Sequence, residues 1–273
     1  MRKLTSETCA VVLAAGLGSR LGPNTKECPK CLVCVSGVPI LERMIDTLAA
    51  AGVTRIVIAV GYLADQIRHF VAERYPELDI QLVENLQFAA TGSVFSLDLA
   101  LDAASPDLHA LLVEGDVVLD PALIRRTFEA VDGDADADVA TLLAPYEPSL
   151  SGTFALVEDG VVSAWLHESV RASDFPLQSS FKTVNITFLR KGEPLAALRE
   201  AVKRTIAGRG GRAPLEYAMH DLVTGGMRIA AVETGGLRWF EVDTPEDLEI
   251  AEGLFAAAPE DQTPSVSSQP AAP

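Results

Sequence analysis

The sequence is poor in several things at once, and each shortage removes a class of function. No apolar run approaches the length of a membrane span, and the first residues lack the basic-then-apolar layout of an export signal. A soluble, cytoplasmic protein is therefore expected. Basic residues are scarce: 22 Lys and Arg stand against 38 Asp and Glu, a net charge of −16. Nucleic acid and anionic membrane would be repelled at long range, so neither is expected as a partner. A nucleotide stays allowed, because local cations or a divalent ion reverse the field inside one cleft. Only four cysteines occur in 273 residues. Cys28, Cys31 and Cys34 have the spacing of part of an iron–sulfur ligand run, but no fourth cysteine follows. Free, partly buried thiols are the simpler reading for them and for Cys9.

What is present is a large apolar fraction, 48% of residues, ample for a sizeable core. Its periodicity alternates along the first half. Strand patterns over 8–14, 55–60, 80–83 and 109–113 are separated by helical patterns over 39–51, 63–74 and 93–103. A further helix runs from Ala122 to Val131, with Pro121 at its first turn. This alternation predicts an α/β fold with a mainly parallel sheet and helices on both faces.

Beyond residue 138 the pattern changes to four strand-like runs, Val139–Ala144, Thr153–Val157, Val161–His167 and Thr183–Leu189. Glu158-Asp159-Gly160 marks a hairpin turn between the second and third. Helical stretches near 194–207 and 214–223, strands 228–233 and 238–242, and a last helix from Pro245 follow. We expect one domain over 1–255 with a mixed, mainly parallel sheet and an antiparallel insertion. The tail 256–273 is alanine, proline and serine with two acids, a composition that predicts disorder. The acidic run Asp132, Asp134, Asp136, Asp138 lacks the glycine position and closing glutamate of a calcium loop, and reads as a solvated connection.

The most informative segment is Leu13-Ala14-Ala15-Gly16-Leu17-Gly18-Ser19-Arg20, followed ten residues later by Pro29-Lys30. A buried strand empties into a glycine turn, where clustered backbone N–H groups make an anion nest. Arg20 and Lys30 supply the compensating charge. The third glycine of a dinucleotide fingerprint is missing, since Leu21 occupies its place, and there is no Gly-Lys-Ser/Thr of a P-loop. The segment reads as a triphosphate cradle.

A polyphosphate site calls for a divalent cation held by carboxylates at the carboxyl ends of parallel strands. Asp116 lies just past the buried run Leu111–Val113, and Glu241 and Asp243 stand two residues apart on one strand face. Asp243 can equally be the N-cap of the helix opened by Pro245, and Asp116 an ordinary turn residue. On pattern alone Lys182 reads as an exposed lysine before an edge strand, with Asn185 on the opposite face.

Taken together, L-A-A-G-x-G-S-R…P-K, the middle aspartate and the late E-x-D resemble the nucleotidyltransferases that join a nucleoside triphosphate to a phosphorylated small molecule. Within that group K-T-V-N-I at 182–186 and R-W-F-E-V-D at 238–243 look like the cytidylyltransferases that activate 2-aminoethylphosphonate, close kin of the phosphocholine enzymes. The resemblance spans almost all of 8–255 and implies a Rossmann-like fold. It implies nucleotide contacts from Ala14, Ala15, Gly16, Gly18, Ser19, Arg20, Lys30 and the segment Thr91-Gly92-Ser93. It also implies Mg²⁺ on Asp116, Glu241 and Asp243, and acceptor contacts from Lys182 and Asn185. CTP and a small phosphonate or phosphate are the implied partners, with Arg20 and Lys30 as catalytic cations.

The chain departs from the pattern at Thr91-Gly92-Ser93, where an asparagine-rich T-N-N form is expected. The acceptor therefore stays open among aminoethylphosphonate, hydroxyethylphosphonate, phosphocholine and a sugar 1-phosphate. A quaternary ammonium would need an aromatic cage, for which Tyr146, Phe154, Trp165 and Phe175 are the available residues in a chain 6% aromatic. A primary amine would instead need an acid such as Glu168 or Asp174. A uridylyl- or thymidylyltransferase and a nucleotide-binding regulatory protein are the remaining alternatives.

Overall fold

The computed structural model describes residues 1–134 and 137–256. A short helix α1 (Arg2–Ser6) precedes β1 (Thr8–Ala14). After the glycine loop come the two-residue strands β2 (Cys34–Val35) and β3 (Val38–Pro39). The alternation then runs α2 (Ile40–Ala51), β4 (Arg55–Val60), α3 (Ala64–Arg74), β5 (Asp79–Glu84), α4 (Ser93–Ala103), β6 (His109–Glu114). β7 (Val117–Leu119), α5 (Pro121–Gly133), β8 (Val139–Pro145), β9 (Phe154–Glu158), β10 (Val161–Leu166) and β11 (Phe181–Leu189) follow. The chain closes with α6 (Glu193–Arg209), α7 (Glu216–Thr224), β12 (Ile229–Glu233), β13 (Trp239–Glu241) and α8 (Pro245–Phe255).

Nine strands form one sheet in the order β5-β4-β1-β6-β11-β8-β12-β10-β9. β1 runs parallel to β4 and β6, and β4 parallel to β5, which is the half predicted from the alternation. The second half does not stand apart. β11 runs antiparallel between β6 and β8, and β8 is parallel to β12, so these strands extend the same sheet. The β9–β10 hairpin turns through Asp159 and Gly160, both at positive φ, as the turn residues demand.

Both faces of the sheet are covered, and β1 shows how. Ala10 and Val12 pack into the core beneath α2, α3 and α5, while Cys9 and Val11 pack beneath α4, α6 and α7. The period-two alternation of a strand is thus spent on two apolar faces, which makes the run continuously hydrophobic. In α2 the expected face of Ile40, Met44, Ile45 and Leu48 is buried.

A third, smaller cluster matters more for function. Leu21 after the glycine loop, Val33 and Val35 after Lys30, Val118 of β7, and Val242 and Ala251 around α8 pack on one another. This cluster clamps the glycine turn, the lysine loop and the late acidic segment together. β13 does not join the main sheet. It pairs antiparallel with β7, Glu241 opposite Val117, and Val242 N–H donates to the Asp116 carbonyl. Asp243 does not cap α8. Thr244 does, in a reciprocal capping box with Asp247, which leaves the Asp243 carboxylate free for other partners.

The glycine that departs from the expected T-N-N form has a steric cause. A Cβ on Gly92 would stand 2.4 Å from the Arg212 carbonyl oxygen and 2.7 Å from that of Ala213. Gly92 N–H also donates to the Gly211 carbonyl, so backbone occupies the space a side chain would need. Gly92→Asn, which restores the T-N-N form at that position, is therefore expected to destabilise the fold by about 1–3 kcal/mol. A melting temperature equal to that of the unaltered chain would show that the 211–213 segment yields freely.

The acidic connection is tied down at its described positions: Asp134 meets Arg228 and Asp138 meets Arg190. Asp136 and the tail expected to be disordered, apart from Ala256, lie outside the described residues. All four cysteines are free, Cys9 and Cys31 buried, Cys28 half-buried and Cys34 exposed. Burial pushes the Cys31 thiol up to about 12 and that of Cys9 to about 11, so neither is a nucleophile near neutral pH. Among the described residues no helix is long and apolar enough to cross a membrane.

Candidate active site

The carboxyl ends of β1 and β6 open into a cleft of about 420 Å³, a volume within the ordinary range for a small-molecule site. The glycine turn forms one wall, with residues Ala14 to Arg20 lining it. Gly18 sits at φ +61°, with a virtual Cβ only 2.9 Å from the Lys30 Cβ, so glycine lets the turn close onto the lysine. A Cβ at Gly16 would meet nothing within 4 Å: it would project into open space, where a ligand approaches the backbone.

Lys30 reaches across the cleft. Its Nζ lies 2.6 Å from Asp116 Oδ2 and 2.5 Å from Asp243 Oδ1. Burial favours the neutral amine, but the two carboxylates outweigh it and hold the ammonium above the ordinary lysine value. Arg20 approaches Asp243 Oδ1 at 2.8 Å from the rim, its own side chain mostly exposed. Two sequence-predicted cations therefore converge on one sequence-predicted carboxylate.

Asp116, Glu241 and Asp243 each offer a carboxylate oxygen within 4.8 Å of the others. Among the described residues these form the one group of three such side chains with ligand spacing. Asp116 Oδ1 is buried and has no hydrogen-bond partner among the described residues. A buried unpaired carboxylate oxygen is costly, and a hard divalent cation with oxygen ligands is the partner its chemistry fits. The residues present thus fit a metal ion. Burial pushes the Glu241 carboxyl up, against the pull of Lys182.

Lys182 is where pattern reasoning failed. It is not exposed: only 3% of its surface remains accessible. The β9 strand pairs with the first residues of β11, which makes that end of the strand interior rather than an edge. Nζ contacts Glu241 Oε2 at 3.1 Å and donates to the Thr183 carbonyl at 2.8 Å. Asn185 does not point elsewhere either. The register of β11 on β8 shifts between Thr183 and Thr187, and Asn185 adopts φ +62° inside that bulge. Alternation breaks there, so Lys182 and Asn185 both line the cleft. An asparagine tolerates the left-handed region better than most residues.

Thr91, Gly92 and Ser93 also line the cleft. Neither hydroxyl caps α4, whose N-cap is Gly92. Thr91 donates to the Gln87 carbonyl and accepts from Asn85, while Ser93 Oγ accepts from Leu215 N–H. Their hydroxyls organise the loop against the start of α7. Of the two acids considered for an amine, Glu168 lines the cleft and accepts from Gly152 N–H, whereas Asp174 is not among the lining residues.

Three features escaped sequence reading. Glu114 ends β6 and Glu216 opens α7, and both line the inner part of the cleft. Burial pushes both carboxyls up, and Glu216 adds to the effect at Glu114. His167 also contributes to the wall. An acid two residues before Asp116 was visible as a signal for Glu114. Nothing local distinguishes Glu216, which arrives from 100 residues further along the chain.

The glycine loop, the lysine and the acid trio thus share the walls of one cleft. The chain matches the MobA-like NTP transferase domain over residues 10–222 and belongs to that family. It is 34% identical over 258 residues to a CMP-5'-(3-aminopropyl)phosphonate synthase of Streptomyces rubellomurinus, covering 93% of this chain and 40% of that one. It is 39% identical over 113 residues to a 2-aminoethylphosphonate cytidylyltransferase of Lancefieldella rimae, 41% of this chain and 44% of the relative. The matches thus span less than half the length of these relatives. Among solved structures, the CTP:phosphocholine cytidylyltransferase of Streptococcus pneumoniae superposes with TM-score 0.71 at 21% identity, covering 90% and 98% of the two chains. The inositol-1-phosphate CTP transferase of T. maritima gives 0.70 at 18% identity, covering 92% and 98%. These likenesses show a shared fold.

Proposed function

We propose that the chain is a cytidylyltransferase that moves CMP from CTP to the phosphonate of a small 2-aminoethylphosphonate-like acceptor, releasing pyrophosphate. One observation carries the reading: the triphosphate wall, the acid trio and the Lys182–Asn185 pair all face a single cleft. The names of the two relatives with phosphonate acceptors favour this acceptor over a sugar phosphate. The catalytic unit we assign spans 1–255, in the cytoplasm, with the tail taking no part.

An anionic phosphonate oxygen attacks the α-phosphorus in line, and pyrophosphate departs. The nucleophile is already charged, so no general base is needed; positioning and charge neutralisation do the work. Amides from Gly16 to Ser19 with Arg20 hold the triphosphate. Lys30 delivers its ammonium to the phosphates once these compete for it with Asp116 and Asp243. Lys182, buried beside Glu241, sets a fixed positive charge where two anions must meet. Asn185, held by its bulge, orients the acceptor. Asp116, Glu241 and Asp243 would hold Mg²⁺, which supplies Lewis-acid neutralisation of phosphate charge.

The test is pyrophosphate release with Mg²⁺, crossing CTP, UTP, ATP, GTP and dTTP against 2-aminoethylphosphonate, phosphocholine and glucose 1-phosphate. Turnover confined to CTP with the phosphonate is expected. Turnover only with phosphocholine or the sugar phosphate would discard the acceptor assignment.

A further inference from the structure

The cleft holds more carboxyl groups than one metal site uses. Among the described residues six acidic side chains line it against three basic ones, Arg20, Lys30 and Lys182. The cations are committed: two lie on Asp243 and one on Glu241. Outside the trio stand Glu114, Glu168 and Glu216; Glu168 accepts from Gly152 N–H, while Glu114 and Glu216 lie together at the inner end.

There the cleft narrows to a second cavity of about 20 Å³, room for roughly one water. Leu13, Glu114, Asn185 and Glu216 line both spaces and form the partition. Glu216 Oε2 is buried and has no hydrogen-bond partner among the described residues. Glu114 lies two residues before Asp116, at most about 7 Å along the backbone, so the inner acids begin one short carbon chain away from the metal-holding group.

Of the four rings available for an aromatic cage, none stands on the wall of the main cleft. Tyr146 and Phe154 pair with ring centroids 5.7 Å apart, and the Arg171 guanidinium already covers Phe154 and Phe175 at 5.0 and 5.8 Å. None of these three rings lines the cleft, and Trp165 reaches only the inner cavity. Among the described residues Phe88 is the one phenyl ring on the main cleft wall, and a single ring makes no cage for a quaternary nitrogen, which also carries no N–H for an unpartnered carboxylate oxygen. A primary ammonium carries three.

We propose that Glu216, together with Glu114, forms the subsite for the protonated primary amine at the far end of the acceptor. This rests on the phosphonate-acceptor reading above. Lys182 and Asn185 take the anionic end, Glu216 the cationic end, and the two or three carbons between them run along the partition. Chain length and terminal charge are then selected together.

The test is calorimetric binding of 2-aminoethylphosphonate and of its methyl-tailed isostere, n-propylphosphonate, to the full chain with Mg²⁺. Glu216→Gln and Glu114→Gln are measured alongside, with melting curves and pyrophosphate release run in parallel. The unaltered chain is expected to favour the amine about 10- to 100-fold. Glu216→Gln should bring that ratio near one without changing n-propylphosphonate binding. Equal affinities in the unaltered chain, binding of neither compound, or a preference that survives both substitutions would overturn the proposal. The last result would mean that Glu216 serves a buried water only. An amine preference without any CTP turnover would retain this subsite and sink the cytidylyl reading alone.

Discussion

Lys30→Ala is expected to lower turnover by a hundredfold or more, about 3 kcal/mol of transition-state stabilisation. The ammonium lies within 2.6 Å of two carboxylates that belong to a trio spaced for metal binding. Removing it does two things. The triphosphate loses its most buried counter-charge, and Asp116 and Asp243 lose the cation that offsets their mutual repulsion. Lys30→Arg should rescue little, because a planar fork cannot occupy the point between two oxygens that a single ammonium fills. Steady-state pyrophosphate release with a melting curve as control measures this. A folded Lys30→Ala chain with undiminished turnover would remove Lys30 from the mechanism.

The second large effect is expected at Asp243. Asp243→Ala removes the carboxylate shared by Lys30 and Arg20 and one of three candidate metal ligands. A loss of at least about a hundredfold in turnover is expected, again about 3 kcal/mol. The fold should survive. The start of α8 is secured by Thr244 and Asp247, and the Asp243 contribution there is its backbone N–H, which alanine retains. The distinguishing measurement is a Mg²⁺ titration of activity. If Asp243 ligates the metal, the substitution raises the ion concentration needed for half-maximal rate. An unchanged titration with lowered turnover would confine Asp243 to positioning Lys30 and Arg20.

The sequence announced most of the parts and little of their distances. The alternation of strand and helix patterns located β1, β4, β5 and β6 and their crossover helices, because a two-faced buried sheet must be written in apolar residues. The glycine loop and Pro29-Lys30 were legible because only glycine closes that turn against a lysine. β7 was not legible, since three residues after a turn carry no period. Lys182 was misread for a related reason. Pattern gives the face of a residue along one strand, but whether that strand is interior depends on which neighbours arrive. β9, whose Phe154 pairs with Lys182 from earlier in the chain, is what covers it. Asn185 was misplaced because alternation assumes regular pleating, and the bulge at 183–187 interrupts it.

The amino-acid sequence alone determined the fold class, the triphosphate turn and the identity of the charged groups, because local periodicity and turn chemistry are properties of contiguous residues. The tertiary structure decided which charges meet. The cluster of Leu21, Val33, Val35, Val118 and Val242 brings Lys30, Asp116 and Asp243 within hydrogen-bonding distance across more than 200 residues of chain. It also decided that Glu216 stands beside Glu114 at the inner wall. Electrostatic partnership depends on separation in space, and separation in space is set by how apolar surfaces far apart in sequence choose to pack.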